Sequence, residues 1–366
     1  MKNKLIWLAA LTLVLLAGCL QEAKPQEKPG PSEAPTTPAA TESAKENLKV
    51  HFIDVGQGDA TLLEYEDYKL LIDTGDWNST ATVDYLKANE VEKLDIVVGT
   101  HPDSDHIGQL ERVVEQFEVG EVWMSGNAST SNTFINALKA IDEKGTDYYE
   151  PRAGEVFDVG SLQVEVLYPE EITGKANEES ISLKLTYGDI DFVFTGDSGV
   201  KEEQAMIDNG ADLDAEILHL GHHGSNTSTS NAFLKAVTPE VAVYSAGIDN
   251  SYGHPHAEVI AAVENAGAEV YGTDVNGTVV LDTNGKTYEI STEKEGTVVE
   301  GKNRCLDINK ASTAELQEIA GIGTSLAEAI IDERPFKTIE ELDKIKGIGK
   351  GKISAIKEQG LACIGE

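Results

Sequence analysis

Positive charge is scarce in this chain. Its 366 residues carry 29 Lys and Arg against 64 Asp and Glu, a formal net charge of −35. The molecule as a whole therefore repels phosphate, which excludes a general electrostatic affinity for nucleic acid; such binding must come from a local patch. Cysteine is nearly missing, with only Cys19, Cys305 and Cys363. The last two bracket the final segment. In an oxidising compartment they can close it with a disulfide; two unrelated buried thiols are the alternative. The apolar stretch Leu5–Leu16 is too short to span a bilayer comfortably. Histidine is absent from Ile107 to Leu218, so no imidazole ligand can come from the middle of the chain. The rest is ordinary: 40% hydrophobic content and enough length for two or three domains.

Lys2 and Lys4 precede the apolar stretch, which ends Leu16-Ala17-Gly18-Cys19. This is the form of an export signal. Its last residues resemble a lipoprotein lipobox, which implies cleavage before Cys19 and lipid attachment to that thiol. An ordinary signal peptide or short anchor is the alternative. Residues 1–18 are read as signal and 19–47 as a disordered tether, because Pro25, Pro29, Pro31, Pro35 and Pro38 stand among polar residues with no apolar period. The expected location is the outer face of the cell membrane.

From Leu48 the pattern becomes that of a folded domain, expected over 48–292. Strands are predicted at Val50–Val55, Ala60–Tyr65 and Tyr68–Ile72, then a helix over Thr82–Val91. The apolar run Leu94–Gly99 reads as a buried strand. It leads into Thr100-His101-Pro102-Asp103-Ser104-Asp105-His106, with helical spacing from Ile107 on. Alternate positions of an extended segment point the same way, so His101, Asp103 and Asp105 can converge, and His106 opens the helix. Imidazole and carboxylate together suit Zn, Mn or Fe. A polar helix cap is the alternative, but four ligand-type residues in six positions are more than a cap needs. Downstream, a strand ends in Gly196-Asp197, and another runs into His222-His223-Gly224-Ser225. His219 reads as a core histidine and His256 as a helix N-terminal residue.

His-x-Asp-x-Asp-His resembles the metal motif of the metallo-β-lactamase superfamily, usually His-x-His-x-Asp-His. The form with His-Pro-Asp is similar to the extracytoplasmic domain of ComEC competence proteins. So are Asp54-Val55-Gly56-Gln57-Gly58-Asp59-Ala60, Asp73-Thr74-Gly75, His222-His223-Gly224-Ser225 and Tyr252-Gly253-His254-Pro255. The resemblance implies an αββα sandwich and a metal-dependent hydrolase. It implies that Asp73 braces the metal loop, with Asp54 and Asp59 near the same edge, and that Asp197 bridges the metals. His222 fits the last ligand. His223 is left to orient or contact substrate, and His254 to donate a proton or contact phosphate.

One departure stands out. Asp103 replaces the usual second histidine, and the third is missing; the nearest match is Asn177-Glu178-Glu179-Ser180, similar to an Asn-x-x-Ser segment of ComEC proteins. The implied first site is His101, Asp103 and Asp197 with a weak oxygen ligand. The second is Asp105, His106, Asp197 and His222. Oxygen-rich ligation shifts preference from zinc toward manganese, with one or two ions bound. Asp105 can double as ligand and proton acceptor.

After a polar linker at 293–304, residues 305–366 open a second, all-α unit. Ser312 with Glu315 forms a capping box, and Gly321-Ile322-Gly323 and Gly347-Ile348-Gly349 recur between helical patterns. This resembles the tandem helix-hairpin-helix module of ComEA-type DNA-binding proteins. Glycines let the backbone approach a phosphate, and helix-start N–H groups point at it. Lys350 and Lys352, with Lys344, Lys346 and Lys357, give the second hairpin local positive charge; the first has no lysine nearby in sequence. A protein-interaction module is the alternative. The expected function is hydrolysis of extracellular DNA for uptake or scavenging, with transport left to a separate membrane channel. Two other readings stay open: a non-catalytic DNA receptor, and a hydrolase of small phosphoesters or lactones.

Overall fold

The structure is a computed structural model and describes residues 46–298, 306–317, 319, 321–359 and 362–364. The signal-like segment, Cys19, most of the tether and Cys305 lie outside them. No described helix is long and apolar enough to cross a membrane.

Two mixed sheets face each other. The first takes β1 (Leu48–Phe52), β2 (Thr61–Tyr65), β3 (Tyr68–Ile72), β4 (Lys93–Gly99), β5 (Glu118–Met124) and β6 (Asp147–Tyr149). The second takes β7 (Val156–Val159), β8 (Leu162–Tyr168), β9 (Ser182–Tyr187), β10 (Ile190–Phe194), β11 (Ile217–His219), β12 (Val241–Tyr244) and β13 (Glu269–Gly272). The hairpin of β14 (Val279–Thr283) and β15 (Tyr288–Thr292) returns to the first sheet beside β1. The spatial orders are β15-β14-β1-β2-β3-β4-β5-β6 and β13-β12-β11-β10-β9-β8-β7.

Strand periodicity sorts the core into layers. In β4, Ile96 and Val98 face the other sheet, while Val97 between them faces helices. The inter-sheet layer joins Val50, Phe52 and Ile72 to Leu183, Phe192 and Val243. The outer face of the first sheet is covered by α1 (Ala81–Ala88), α2 (Leu110–Gln116) and α3 (Asn132–Lys144). The second is covered by α4 (Val200–Asp208), α5 (Asn231–Val237) and α6 (Ala257–Ala266). The result is the expected αββα sandwich. Each fully buried aliphatic or aromatic side chain contributes about 1.5–3 kcal/mol.

One local expectation is corrected. The helix after the metal loop begins at Leu110, not at His106. The His106 carbonyl is taken instead by the Thr74 N–H at 2.6 Å and the Thr74 hydroxyl at 3.0 Å, which pins residues 106–109 against the loop after β3. Helix α4 leaves little mark in the sequence because its Lys-Glu-Glu-Gln start hides the apolar stripe; within that start Glu203 is buried and accepts from the Ser230 N–H.

The tail has its own core of Ile308, Leu316, Ile319, Ile330, Phe336, Leu342 and Ile356. Its helices include α9 (Thr324–Asp332) and α10 (Lys350–Gln359), numbered after the short α7 (Thr273–Asn276) and α8 (Thr313–Leu316). The capping box is formed: Ser312 N–H donates to Glu315 Oε2 at 2.6 Å and Glu315 N–H to Ser312 Oγ at 3.3 Å. A short parallel ladder pairs Leu306–Asp307 with Ala362–Cys363, joining the two ends of the unit, and Cys363 is disulfide-bonded. Folding also brings a lysine to the first hairpin: Lys352 Nζ donates to the Gly321 carbonyl at 2.6 Å.

Candidate metal centre

Parallel pairing sets the site. β3, β4 and β5 run parallel, as do β10, β11 and β12, and the loops leaving their C-terminal ends meet along one edge. Asp73 follows β3, the His101–His106 loop follows β4, Asp197 follows β10 and the His222–His223 pair follows β11. Asp59 arrives from the loop after β1. Gly58 permits this approach: a Cβ there would lie 2.5 Å from the Asp105 carbonyl oxygen, and Asp59 N–H donates to that same oxygen at 3.1 Å.

Four imidazoles are held in one manner. Each Nδ1 has an orienting partner: Thr100 Oγ1 at 3.1 Å for His101, Asp73 Oδ2 at 2.8 Å for His106, Thr227 Oγ1 at 3.0 Å for His222, and the Ser245 carbonyl at 3.0 Å for His223. Each Nε2 faces a carboxylate. His101 and His222 lie 3.7 and 3.4 Å from Asp197 Oδ2, and His106 lies 3.2 Å from Asp197 Oδ1. His223 lies 3.3 Å from Asp105 Oδ2. The Nε2 atoms of His101, His106 and His223 and Asp197 Oδ1 are buried without a hydrogen-bond partner. Buried polar atoms in a group without partners ask for a cation. Metal-binding histidines characteristically have the other nitrogen anchored in this way. The residues present fit a metal.

Charge agrees. Burial pushes the His101 imidazole down to about 3, with His106 adding to the effect, so its lone pair is free. Burial also acts to lower His106, but Asp197 and Asp73 overcome it and hold the ring well above its usual range. Against burial, Asp59 and Asp105 raise His223 to about 9. The carboxylates create a field that attracts positive charge, and without an ion protons answer it.

Asp59, His106, Asp197 and His223 form a group that brings one ligand atom from each within 4.8 Å of one another. Within it Asp59 stands on the Nδ1 side, 3.8 Å from His106 Nδ1 and 3.7 Å from His223 Nδ1, behind the rings rather than among the free nitrogens. It also lies 3.5 Å from His219 Nε2.

The two rings of the His222–His223 pair point to different carboxylates. His223, not His222, faces Asp105, while His222 faces Asp197. The cause is a left-handed double turn, with φ 51° and ψ 47° at His222 and φ 58° and ψ 25° at His223. Asp103 sits at the rim, half-exposed, 3.9 Å from His101 Nε2. Asn177 Nδ2 donates to Asp197 Oδ2 at 3.3 Å, and Asp197 N–H donates to Ser180 Oγ at 3.1 Å, so Asn177 reaches the Asp197 carboxylate and Ser180 its backbone. The His254 ring lies 5.6 Å from His222 and 5.9 Å from His223. Asp54 is not brought in; it is engaged by Lys294 at 2.9 Å. His219 is a core residue, stacked on Phe52 and bonded to Ser245 Oγ at 3.0 Å. Sequence reasoning missed Thr100, Thr227 and Ser245. Ser245 acts on His223 through its carbonyl, which leaves no mark on residue type.

Free imidazole nitrogens around a shared carboxylate at a sandwich edge are the equipment of a metal-dependent hydrolase. The chain belongs to the metallo-β-lactamase superfamily, whose model matches residues 53–248. The helix-hairpin-helix motif model matches residues 301–359. ComE operon protein 3 of Bacillus subtilis is 30% identical over 251 residues, covering 63% of this chain and 32% of that protein. Competence protein ComA of Neisseria gonorrhoeae is 33% identical over 228 residues, covering 61% and 30%. A deoxyribonuclease of Thioalkalivibrio sp. is 47% identical over 60 residues, covering 16% and 17%. The chain thus spans less than a third of the length of these relatives.

Proposed function

We propose that this chain is an exported phosphodiesterase that cuts DNA gripped by its own helix-hairpin-helix tail. The observation that carries the reading is a cation-seeking cluster of imidazoles around Asp197 in a chain that also holds two Gly-Ile-Gly turns. Relatives named for competence and for deoxyribonuclease activity support it.

His101, Asp103, Asp105, His106, Asp197 and the His222–His223 pair would hold one or two divalent ions, Mn²⁺ or Zn²⁺. Such ions lower the pKa of water and offset phosphate charge. Asp105, with Oδ2 3.3 Å from His223 Nε2, is placed to accept a proton. Burial, with His223, His256 and His222 beside it, lowers His254 to about 4, so its ring is neutral and serves as a hydrogen-bonding contact to a phosphate oxygen. Asp73 and Asp59 brace the rings, and Asn177 and Ser180 hold Asp197. Trp77 is 55% exposed, with its backbone N–H fixed to the Ser104 carbonyl of the metal loop at 3.0 Å; Tyr252 is 65% exposed and stacks on His254. Exposed rings beside a cleaving site suit stacking on unpaired bases. In the tail, Gly321, Gly323, Gly347, Gly349, Lys350 and Lys352 contact the DNA backbone without sequence preference. Lipidated Cys19 anchors the chain outside the membrane, and a separate channel carries DNA across.

The test is cleavage of plasmid and single-stranded DNA by the chain from Gln21 to Glu366 with Mn²⁺, Zn²⁺ or chelator, beside Asp105→Ala. Metal-dependent cutting lost in the variant supports the proposal. The missing third histidine favours one other reading, a DNA receptor with an inert hydrolase fold. No cutting with salt-sensitive DNA binding intact would select it.

A further inference from the structure

The superfamily pattern calls for a third histidine between the metal loop and the bridging carboxylate, and residues 107–218 contain none. We infer that His222 takes its place. Asp197 then joins two ligand sets, with His101, Asp103 and His222 gathered on Oδ2 and Asp105, His106 and His223 on the Oδ1 side.

Three observations carry this. The first is spacing. Ligand bonds of about 2.1 Å in tetrahedral array place neighbouring ligand atoms about 3.4 Å apart. His222 Nε2 lies 3.4 Å from Asp197 Oδ2, and His101 Nε2 lies 3.7 Å from the same oxygen. The second is anchoring. The Thr227 hydroxyl at 3.0 Å from His222 Nδ1 leaves Nε2 turned to the carboxylate, the same arrangement as for His101, His106 and His223. The third is the backbone. Two consecutive non-glycine residues in the left-handed region cost of order 1–3 kcal/mol each. Adjacent residues of an extended segment would point their rings to opposite sides. This turn delivers both to the carboxylates, with the His222 N–H bonded to the Gly196 carbonyl at 3.0 Å beside Asp197.

The sets differ in access. His223 is buried, whereas the His222 side chain is 28% exposed and that of Asp103 48%. The His222 set is therefore the weaker, more open one.

The experiment is Mn²⁺ titration of the full soluble chain, followed by equilibrium dialysis and electron paramagnetic resonance. No activity is read, so the result is independent of whether the chain cuts DNA. The unaltered chain should bind two ions per chain with unequal affinity and give a spin-coupled signal. His222→Ala should keep one ion with the uncoupled signal of isolated Mn²⁺. Thr227→Val should bind two, the weaker by about 10-fold or more less tightly. Two ions bound undiminished by His222→Ala, or one ion in the unaltered chain, overturns the inference. If His222→Ala does not fold, an unchanged weak site in Thr227→Val overturns it equally.

Discussion

Asp73→Asn offers a sharp separation of metal affinity from stability. Asp73 is 2% exposed and saturated: Oδ1 accepts the Thr100 N–H at 2.8 Å, and Oδ2 accepts the Thr100 hydroxyl and His106 Nδ1, each at 2.8 Å. Its φ of 59° is left-handed, which Asn tolerates well. In the variant the Asn oxygen keeps the Thr100 N–H, so the amide group must face His106 Nδ1. A donor there forces the imidazole proton onto Nε2, the nitrogen otherwise free for a metal. Loss of such a partner lowers metal affinity about 10–100-fold, or about 1.4–2.8 kcal/mol. Stability should fall far less than for Asp73→Ala, which strands the Thr100 N–H and His106 and should cost about 3–5 kcal/mol. The assay is competition for Mn²⁺ and Zn²⁺ against a chelating dye, with urea melts of the metal-free variants. An Asp73→Asn chain that binds metal within twofold of the unaltered one would refute the tautomer argument.

Other outcomes are equally definite. Glu179 accepts from the Thr173, Gly174 and Lys175 N–H groups and from Asn127 Nδ2 at 2.9–3.2 Å; Glu179→Ala should cost about 2–4 kcal/mol in urea melts and speed amide exchange at 173–175. Glu64 is held down to about 2 from 4.5, first by His51 and also by Lys69. Its folded pKa is depressed, so its contribution is present above about pH 4.5 and is lost as pH falls toward 2; melting temperature against pH should lose that part of its slope in Glu64→Gln. Lys350→Ala should weaken DNA binding for all sequences alike and reduce the salt slope by about 1. Chelation of a saturated chain should lower its melting temperature, and added Mn²⁺ should restore it, because ligation favours the native state.

The sandwich was legible because the alternating pattern of β1, the apolar run of β4 and the turn residues between strands agree with the motifs at the strand ends. The location of the centre was legible too, since His101, Asp105, His106 and Asp197 follow strands directly. The aim of each ring was not. Whether His222 or His223 meets Asp105 depends on two left-handed φ values that no residue type signals. Thr74 capturing the His106 carbonyl, and so delaying α2, is a contact across 32 residues of chain. Lys352 reaching Gly321 is a similar long-range meeting. Local pattern carries neither.

The return of β14 and β15 to the first sheet gives the hydrolase domain a polarity. β1 runs from Leu48 toward Asp54 and the metal edge, and β15 runs the same way, because both oppose β14. The chain therefore arrives at the end remote from the metals and departs at the end that carries them, where Asp54 clasps Lys294. The segment that follows β15 thus starts from the metal edge, and a ligand held by that segment would meet the edge at a concentration set by the length of the connector rather than by the surrounding solution.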